Sequence, residues 1–374
     1  NGVMTPKAPF TLAVLAALVL LTTGTSITTA AEPPSAQALW ARNMGQSGLR
    51  RFYATGADLG ELVNRQVSYQ TANRLATARL AANPAAAVTP AALASEASGY
   101  VGQHDSLMKL PVSLQQPLFL RTLARTAKRL ESDKLHSSND RYDLGLLYAP
   151  SQNSYAGLGI AVEATSADLK YVSGATELNA VGPRFDAGLR LNPVFALGIR
   201  AEQLQFSGDN VVTSRGTTVS RELDYRRRYL QVEAIARLST QQWQVLPAWL
   251  QVGGMVAMHA LDTRYESQLN SLGQPVREPF GNNERLMLLR SGLFASATLG
   301  KRRQWNPYAE LLLDREIDNN MTKPLDDRTG AILRTGVAWL PATGKRLSLE
   351  YQRSQSRDRL RERNNLLFVV IQDF

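Results

Sequence analysis

From Arg141 to the end of the chain, apolar and polar residues alternate, and this pattern constrains the fold more than any other feature of the sequence. Leu230, Val232 and Ala234 fall on one side of the alternation, and Gln231 and Glu233 fall on the other. A period of two places successive side chains on opposite faces of a β-strand. We identify about twelve segments of this kind. In chain order they are Arg141–Ala149, Tyr155–Thr165, Asp168–Leu178, Pro183–Leu191, Val194–Phe206, Leu223–Leu238, Trp243–Arg264, Asn283–Leu299, Trp305–Ile317, Arg328–Leu340, Lys345–Ser356 and Glu362–Phe374.

The lengths of these segments indicate which kind of β-protein they form. Strands of soluble β-sandwiches usually have about five or six residues, whereas a strand that crosses a bilayer needs about 9–11. One apolar and one charged face, kept over strands of that length, is typical of transmembrane β-barrels. The sequence therefore predicts an all-β transmembrane fold, an antiparallel up-and-down barrel of about twelve strands, with about ten or fourteen as alternatives. If both ends of the barrel are periplasmic, the number of strands must be even.

The connections between these segments are alternately short and long. Ser166-Ala167 and Asn192-Pro193 are predicted as tight turns, whereas Ser207–Glu222, Tyr265–Asn282 and Asp318–Asp327 are predicted as longer polar loops. Short periplasmic turns and long outer loops are typical of such barrels.

The N-terminal residues 1–31 are predicted to be a secretory signal peptide. Met4 is the expected start, Lys7 supplies a positive charge, and Phe10–Leu21 is the apolar stretch. Thr29-Ala30-Ala31 offers small residues at a cleavage site before Glu32. The alternative is an uncleaved N-terminal anchor, although the apolar stretch is short for a bilayer span of about 20 residues.

Residues 32–138 are predicted to be a helical segment, either periplasmic or inserted in the barrel as a plug, and residues 139–374 to be the barrel. Ser35–Trp40, Asp58–Tyr69 and Thr71–Leu80 are predicted helices, and Pro117–Leu130 is the clearest one because its leucines and alanines recur at the helical period. The basic residues of that last segment are expected to insert into the lumen as a plug: Arg121, Arg125, Lys128 and Arg129. The alternative is a small periplasmic domain that binds another protein.

The end of the chain resembles the assembly signal of Gram-negative outer-membrane β-barrels. Phe374 is the last residue, and Leu366, Phe368 and Val370 precede it at alternate positions, whereas Gln372 departs from the usual apolar residue. The resemblance implies an outer-membrane location and recognition by the barrel-assembly machinery.

The predicted architecture is also similar to the translocator domains of autotransporters. Those barrels have twelve strands and are preceded by a helix that fills the lumen. The resemblance implies translocation of a small N-terminal passenger. Residues 32–116 depart from the long β-helical passenger that is usual in that family.

Composition narrows the possible partners. The chain has no cysteine, which excludes disulfides and thiolate metal sites, and its formal net charge is +10. Because a signal peptide routes the chain out of the cytoplasm, nucleic acid is not expected. The expected partners are outer-membrane lipids and lipopolysaccharide, and a small solute or an exported polymer.

Candidate chemistry is confined to charges on the polar faces of the strands. Phospholipase-type barrels carry a His-x-Ser pair, whereas His259 is followed by Ala260 and Leu261, and no metal-ligand spacing occurs. We therefore expect no enzymatic activity, no catalytic residue, no metal and no cofactor. The residues predicted to line the lumen are Asp186, Arg190, Arg200, Glu202, Glu233, Arg237, Glu310, Asp314, Glu316, Arg334 and Glu350.

These lumen charges allow two interpretations. They could form a selectivity lining for a charged solute, or they could pair with one another and close a narrow barrel. The predicted function is accordingly a non-enzymatic pore or export channel, with a closed structural or docking barrel that displays its outer loops as the alternative.

Overall fold

The structure is a computed structural model that describes residues 57–83, 88–111, 118–131, 134–151, 153–170, 173–214, 216–276, 278–322, 325–342 and 345–373. Within these residues, two helices, α1 (Ala57–Ala82) and α2 (Pro90–Leu93), precede thirteen strands. The strands are β1 (Ser95–Lys109), β2 (Leu118–Glu131), β3 (Leu135–Ser151), β4 (Ser154–Leu169), β5 (Gly174–Arg190), β6 (Phe195–Ser214), β7 (Thr217–Leu238), β8 (Leu250–Tyr265), β9 (Asn283–Ala297), β10 (Trp305–Asn319), β11 (Thr329–Ala342), β12 (Lys345–Ser356) and β13 (Arg361–Asp373). The predicted signal peptide, the helix predicted at Ser35–Trp40, and Phe374 lie outside the described residues.

The strands form one closed barrel, which confirms the predicted fold class. Each strand pairs antiparallel with its neighbours in the chain, but β1 and β13 close the barrel as a parallel pair, from Ser95↔Arg361 to Leu107↔Asp373. The strand direction reverses at every connection, so an odd number of strands leaves the first and the last pointing the same way. Closure leaves no sheet edge, and every strand can therefore satisfy its backbone hydrogen bonds within hydrocarbon.

The parallel pair fixes which end of the barrel each connection occupies. We call the end where β13 finishes the lower rim, which carries residues 191–194, 239–249 and 298–304. The opposite end is the upper rim, which carries residues 266–282, 320–328 and 357–360. β1 begins at the upper rim, so the barrel does not start and end on the same side, and the expectation of an even strand count is wrong.

The barrel wall has apolar side chains on its outer face and charged side chains inside, which is the reverse of a soluble protein. Leu158 and Leu293 are 67% and 70% exposed on the outer face. Of the eight largest fully buried side chains among the described residues, five are arginines: Arg121, Arg141, Arg184, Arg200 and Arg290. Burying charge requires partners, whereas an apolar exterior suits hydrocarbon. The wall is therefore built to stand in a bilayer around a charged interior.

Aromatic side chains mark the lower boundary of the apolar exterior. Trp305 and Trp339 are register partners near the lower rim, with ring centroids 6.3 Å apart, and Tyr148 is exposed at the same end. An amphipathic ring prefers the head-group level of a membrane. Among the described residues, no helix is long and apolar enough to cross a membrane.

The segment Pro117–Leu130 is predicted as the clearest helix, but its described residues, from Leu118 onward, lie in strand β2. Its basic residues Arg121, Arg125 and Arg129 recur every four positions. Positions four apart share a face in a helix and also in a strand, because four is close to one helical turn and is an even number. The pattern is therefore ambiguous, and pairing with β1 and β3 on both sides decides it.

The barrel therefore begins at Ser95 and not at residue 139. The helical part of the N-terminal segment is α1, a single helix over the positions predicted as Asp58–Tyr69 and Thr71–Leu80, followed by the short α2. The segment between these helices and residue 139 consists of β1, β2 and the start of β3.

Two turns were misplaced. Most residues of the predicted strands Asp168–Leu178 and Pro183–Leu191 belong to one strand, β5 (Gly174–Arg190). Asp168 and Leu169 end β4, and Ser166-Ala167 pairs inside β4. Gly182 and Pro183 suggest a break, yet the missing Cβ of Gly182 lets the Gln203 carbonyl approach closely within the sheet. Ser207–Glu222 is predicted as a long loop. In the structure these residues continue β6 and β7 as a paired hairpin.

Pairing of β1 with β2 is directly testable because the chain contains no cysteine. The hydroxyls of Ser106 and Thr122 lie 2.6 Å apart across this pair, close enough for a disulfide. We expect S106C/T122C to form an intramolecular disulfide during refolding, seen as a mass loss of about two daltons and a shifted electrophoretic mobility.

The matched control is S106C/T126C, because Thr126 pairs with Gly102 and lies about 13 Å further along the strand. Equal disulfide yields in the two variants would contradict the observed register.

Candidate functional site

The lumen contains α1, which contacts strands around most of the barrel. The Asp58 Oδ1 accepts hydrogen bonds from Arg290 Nη1 on β9 at 2.6 Å and from Arg334 Nη2 on β11 at 2.9 Å. Glu61 is ion-paired with Arg363 on β13 and accepts a hydrogen bond from Gln352 Nε2 on β12 at 3.2 Å. A helix that reaches four different strands through two adjacent turns lies inside the barrel.

The charged stripe of α1 continues at Arg65. Its guanidinium donates to Asp314 Oδ2 at 2.8 Å and to Glu316 Oε1 at 3.0 Å, both on β10. Asp58, Glu61 and Arg65 are spaced at the helical period, so one face of α1 meets one arc of the wall. This face carries both signs of charge, and the wall opposite carries the complementary sign at each position.

The upper half of α1 makes neutral and mixed contacts with the wall. Gln66 and Gln70 each donate a side-chain hydrogen bond to Glu284 Oε2, at 2.7 Å and 2.6 Å. The Tyr69 hydroxyl donates to Glu316 Oε2 at 2.8 Å, and it also contacts the backbone carbonyl of Asp327. Hydrogen bonding removes much of the cost of burying these polar groups.

A second face of α1 is apolar and packs on the wall between β7 and β9. Leu59 and Leu62 belong to a buried cluster with Tyr229, Leu261 and Leu288. Further up, the same cluster includes Met321 and Leu325 of the connection between β10 and β11. These contacts exclude water from the space between the helix and this part of the wall.

The segment predicted as a basic plug contributes to the same contacts from the wall. Arg129 Nη1 donates to the backbone carbonyl of Asn64 at 3.1 Å, and its Nη2 donates to Ser68 Oγ at 3.1 Å. Gly60 has no side chain where the guanidinium of Arg125 lies against α1. Arg121, Arg125 and Arg129 therefore face the lumen, whereas Lys128 faces outward over the Tyr100 ring. The helix that fills the lumen is α1, and the prediction that it was Pro117–Leu130 is wrong.

The half of the lumen away from α1 is braced by ion pairs between strands that are not neighbours. Arg121 on β2 meets Asp186 on β5 at 2.6 Å, and Arg141 on β3 meets Glu202 on β6 at 2.7 Å. Arg227 on β7 meets Glu163 on β4 at 2.8 Å. In each pair the two strands are three positions apart in the barrel, so the ion pair crosses part of the lumen.

Below these charges lies a cluster of apolar inward side chains. Phe119, Leu147, Ile235 and Met255 belong to one buried cluster, and Phe294 packs against it. α1 and the cross-strand ion pairs occupy the middle and upper parts of the lumen, and this apolar layer lies below them.

The structure buries eight of the predicted lumen charges: Asp186, Arg200, Glu202, Glu233, Glu310, Asp314, Glu316 and Arg334. The other three are only half-buried. Arg190 donates to the backbone carbonyl of Asn192 at the lower rim, Arg237 lies over the Phe294 ring, and Glu350 accepts a hydrogen bond from Tyr308 at 2.8 Å. Their role in selectivity stays a prediction.

Sequence reasoning missed the other members of this network. They include Asp58, Glu61 and Arg65 on α1 and Arg141, Asp143, Glu163, Arg184, Arg227 and Arg290 on the wall. One usable signal was present: Arg141 and Asp143, Arg184 and Asp186, and Arg200 and Glu202 are opposite charges two positions apart. Such pairs share one face of a strand, which indicates pairing inside a closed lumen.

The remaining sequence predictions concern the assembly signal, His259 and metal binding. Leu366 and Phe368 of the assembly signal are exposed on the outer face of β13, and recognition by the assembly machinery stays a prediction. His259 is buried in the lumen, with Nδ1 3.0 Å from the Tyr229 hydroxyl. Among the described residues, no group of three or more histidine and acidic side chains is placed to hold a metal ion.

Comparison with known proteins gives structural matches only. No protein-family model and no curated protein matches the chain. The beta domain of the Bordetella autotransporter Brka is 15% identical with a TM-score of 0.49, covering 68% of this chain and 96% of that chain. The translocator domain of the autotransporter NalP from Neisseria meningitidis is 9% identical with a TM-score of 0.48, covering 60% and 77%. A FadL homologue from Pseudomonas aeruginosa is 10% identical with a TM-score of 0.42, covering 67% and 69%.

Similarities of this size assign no function. The class follows from the closed barrel, the apolar exterior and the charged interior, which together define an outer-membrane-type β-barrel. Its particular feature is a lumen occupied by a helix that precedes the first strand.

The ion pairs of Arg65 can be tested by R65M, which keeps an unbranched, flexible side chain but removes the guanidinium and its charge. Removing one partner of a buried ion pair costs about 3–5 kcal/mol when the other charge is left unpaired. Asp314 keeps Arg290 and Glu316 keeps Arg361, so the expected cost is at most about 3 kcal/mol. We expect amide hydrogen exchange in α1 of the detergent-folded protein to lose protection by about that amount.

The matched control is R79M, since Arg79 is exposed in the last turn of the same helix. Equal losses of protection in the two variants would show that Arg65 does not hold α1 in the lumen.

Proposed function

We propose that this protein is a non-enzymatic outer-membrane channel whose resting state is closed by α1, and that it conducts when the helix leaves its position. The observation that supports this most strongly is the set of charged contacts between α1 and four strands of the wall, β9 and β11–β13, through Asp58 and Glu61 alone. A helix held in this way occupies the space that a solute would use.

The chemistry of these contacts suits a plug that can be released. A buried ion pair contributes little net stability, because its attraction is offset by the desolvation of both charges. If the lumen opens and fills with water, the separated charges of α1 and the wall regain hydration. The free-energy difference between the closed and open states is therefore smaller than the number of ion pairs suggests.

The mixed charges of the lumen fit passage of a charged solute or of an exported polymer. Movement of α1 would uncover Asp314, Glu316 and Glu284 beside Arg290 and Arg334. Charged side chains that line a pore are a usual basis of ion selectivity in channels. These residues are the proposed lining of the open state.

The direction of α1 favours a plug over an autotransporter-like export device. Asp58 contacts the middle of β9 and β11, whereas Arg74 contacts Glu278 in the connection at the upper rim. The helix therefore runs upward. If the lower rim is periplasmic, as the sequence predicts, an exported N-terminal passenger would require a helix that runs the opposite way.

The second candidate function is a closed structural or docking barrel, and the cross-strand bridges favour it. Arg121–Asp186, Arg141–Glu202 and Arg227–Glu163 do not involve α1, so they can brace the lumen without it. In that case the upper-rim connections would meet external ligands while the lumen stays sealed.

Charge reversal at the pair of Glu61 and Arg363 separates the two candidates. E61R places two arginines side by side, and R363E places two glutamates side by side, so each should expel α1. A cost of about 3 kcal/mol would shift the ratio of open to closed channels by more than about 100-fold. We expect a higher open probability for both single variants in planar bilayers, and closure restored in E61R/R363E.

R79E is the matched control, because it reverses an exposed charge on the same helix. If both single variants form folded, heat-modifiable barrels but show no channel openings, the closed structural barrel is supported. If the single variants open but E61R/R363E does not restore closure, the ion pair between Glu61 and Arg363 is not what holds α1 in place.

A further inference from the structure

The outer wall carries a group of arginines directly above the apolar belt on three consecutive strands. We define the upper basic patch as Arg226 and Arg228 on β7, Arg264 on β8 and Arg285 on β9. These positions alternate with buried, inward residues such as Arg227 and Thr263, so the four side chains face outward. Arg264 and Arg285 are 52% and 55% exposed at the side chain.

The acidic residues beside the patch neutralise only part of its charge. Arg264 pairs with Asp262 at 3.2 Å, and Arg285 pairs with Asp318 at 3.0 Å. Arg228 donates to the neutral Gln203 side chain at 2.9 Å. Asp224, the next outward residue on β7, accepts a hydrogen bond from Gln268 of the upper-rim connection. Four arginines beside the three aspartates Asp224, Asp262 and Asp318 leave an excess of one positive charge.

Two of these arginines lie directly opposite each other. Arg226 and Arg264 are register partners across β7 and β8, and like charges at such positions destabilise a sheet. The Nε of Arg226 is shielded from solvent and has no hydrogen-bond partner among the described residues. An anion bound between the two guanidinium groups would remove the repulsion and supply the missing acceptor.

The surface immediately below the patch indicates what the anion is attached to. On the same strands, Leu230, Val232, Met258 and Leu289 are exposed on the outer face. A group that places negative charge at the arginines and hydrocarbon on these side chains is a lipid with a phosphorylated head. Arginine is suited to phosphate because its planar fork donates two parallel hydrogen bonds.

We propose that the upper basic patch binds a phosphate of lipid A in the outer leaflet, with the acyl chains along the apolar face of β7–β9. The net positive charge of the patch favours a phosphate monoester, whose charge is about −1.5 to −2. The upper rim is the predicted outer side of the barrel, which selects lipopolysaccharide over the phospholipids of the inner leaflet. The site is on the outer wall, so it is independent of the proposed channel function.

The test measures binding of bisphosphorylated lipid A to the full detergent-folded protein by native mass spectrometry. An arginine near a charged lipid surface contributes about fivefold in affinity, so R226Q/R264Q should weaken binding by about 25-fold. The control R353Q/R357Q removes two exposed arginines of β12 and its following turn, three strands away from β9, and should change affinity less than about twofold.

Two further ligands and one further variant make each outcome decisive. Dephosphorylated lipid A and phosphatidylglycerol should both bind more weakly than bisphosphorylated lipid A to the unchanged protein. Should R226Q/R264Q not fold into a heat-modifiable barrel, R226K/R264K keeps the charge but loses the fork, and an intermediate loss is expected. Equal effects in the patch and control variants would overturn the site, and equal binding of phosphatidylglycerol would overturn lipid A as its occupant.

Discussion

The number of strands is the constraint on which the rest of this structure depends. With thirteen strands, β1 and β13 run in the same direction, so the chain enters the barrel at the rim opposite to the one where it ends. The chain must reach that upper rim before β1 begins. In this protein α1, a 26-residue helix about 39 Å long, leads upward within the lumen toward it. This path through the lumen brings the chain to the rim where β1 begins.

A barrel that stands in hydrocarbon has to place its charges inside, and charges inside have to be paired. On one side of the lumen the charges are paired between strands of the wall, as in the ion pair of Arg141 with Glu202. On the other side they are paired with α1, whose Asp58 and Arg65 complete ion pairs with Arg290 and Asp314. Under the proposed function the same residues stabilise the fold and close the lumen, so a change at any of them should affect both properties.

The sequence predicted the barrel because long alternating strands require one face in lipid, and β6–β13 follow that rule clearly. It did not predict β1, whose inner face mixes Gly99, Asp105 and Leu107, or β2, whose arginines at a spacing of four fit a helix equally well. The position of α1 could not be derived either. Its lumen-facing charges look like those of a solvated helix until the partners on β9–β13 are brought together by closure. Long-range pairing, which no local pattern contains, decides both features.

The central claim is that α1 closes the lumen, and single-channel conductance of a protein lacking residues 32–83 tests it most directly. This deletion leaves all thirteen described strands in place, and water in the emptied lumen can hydrate Arg290, Arg334 and Arg363 once their partners on α1 are gone. The account predicts steady channels from the refolded, heat-modifiable deletion variant and brief or absent openings from the full chain. A folded deletion variant with no more conductance than the full chain would contradict it.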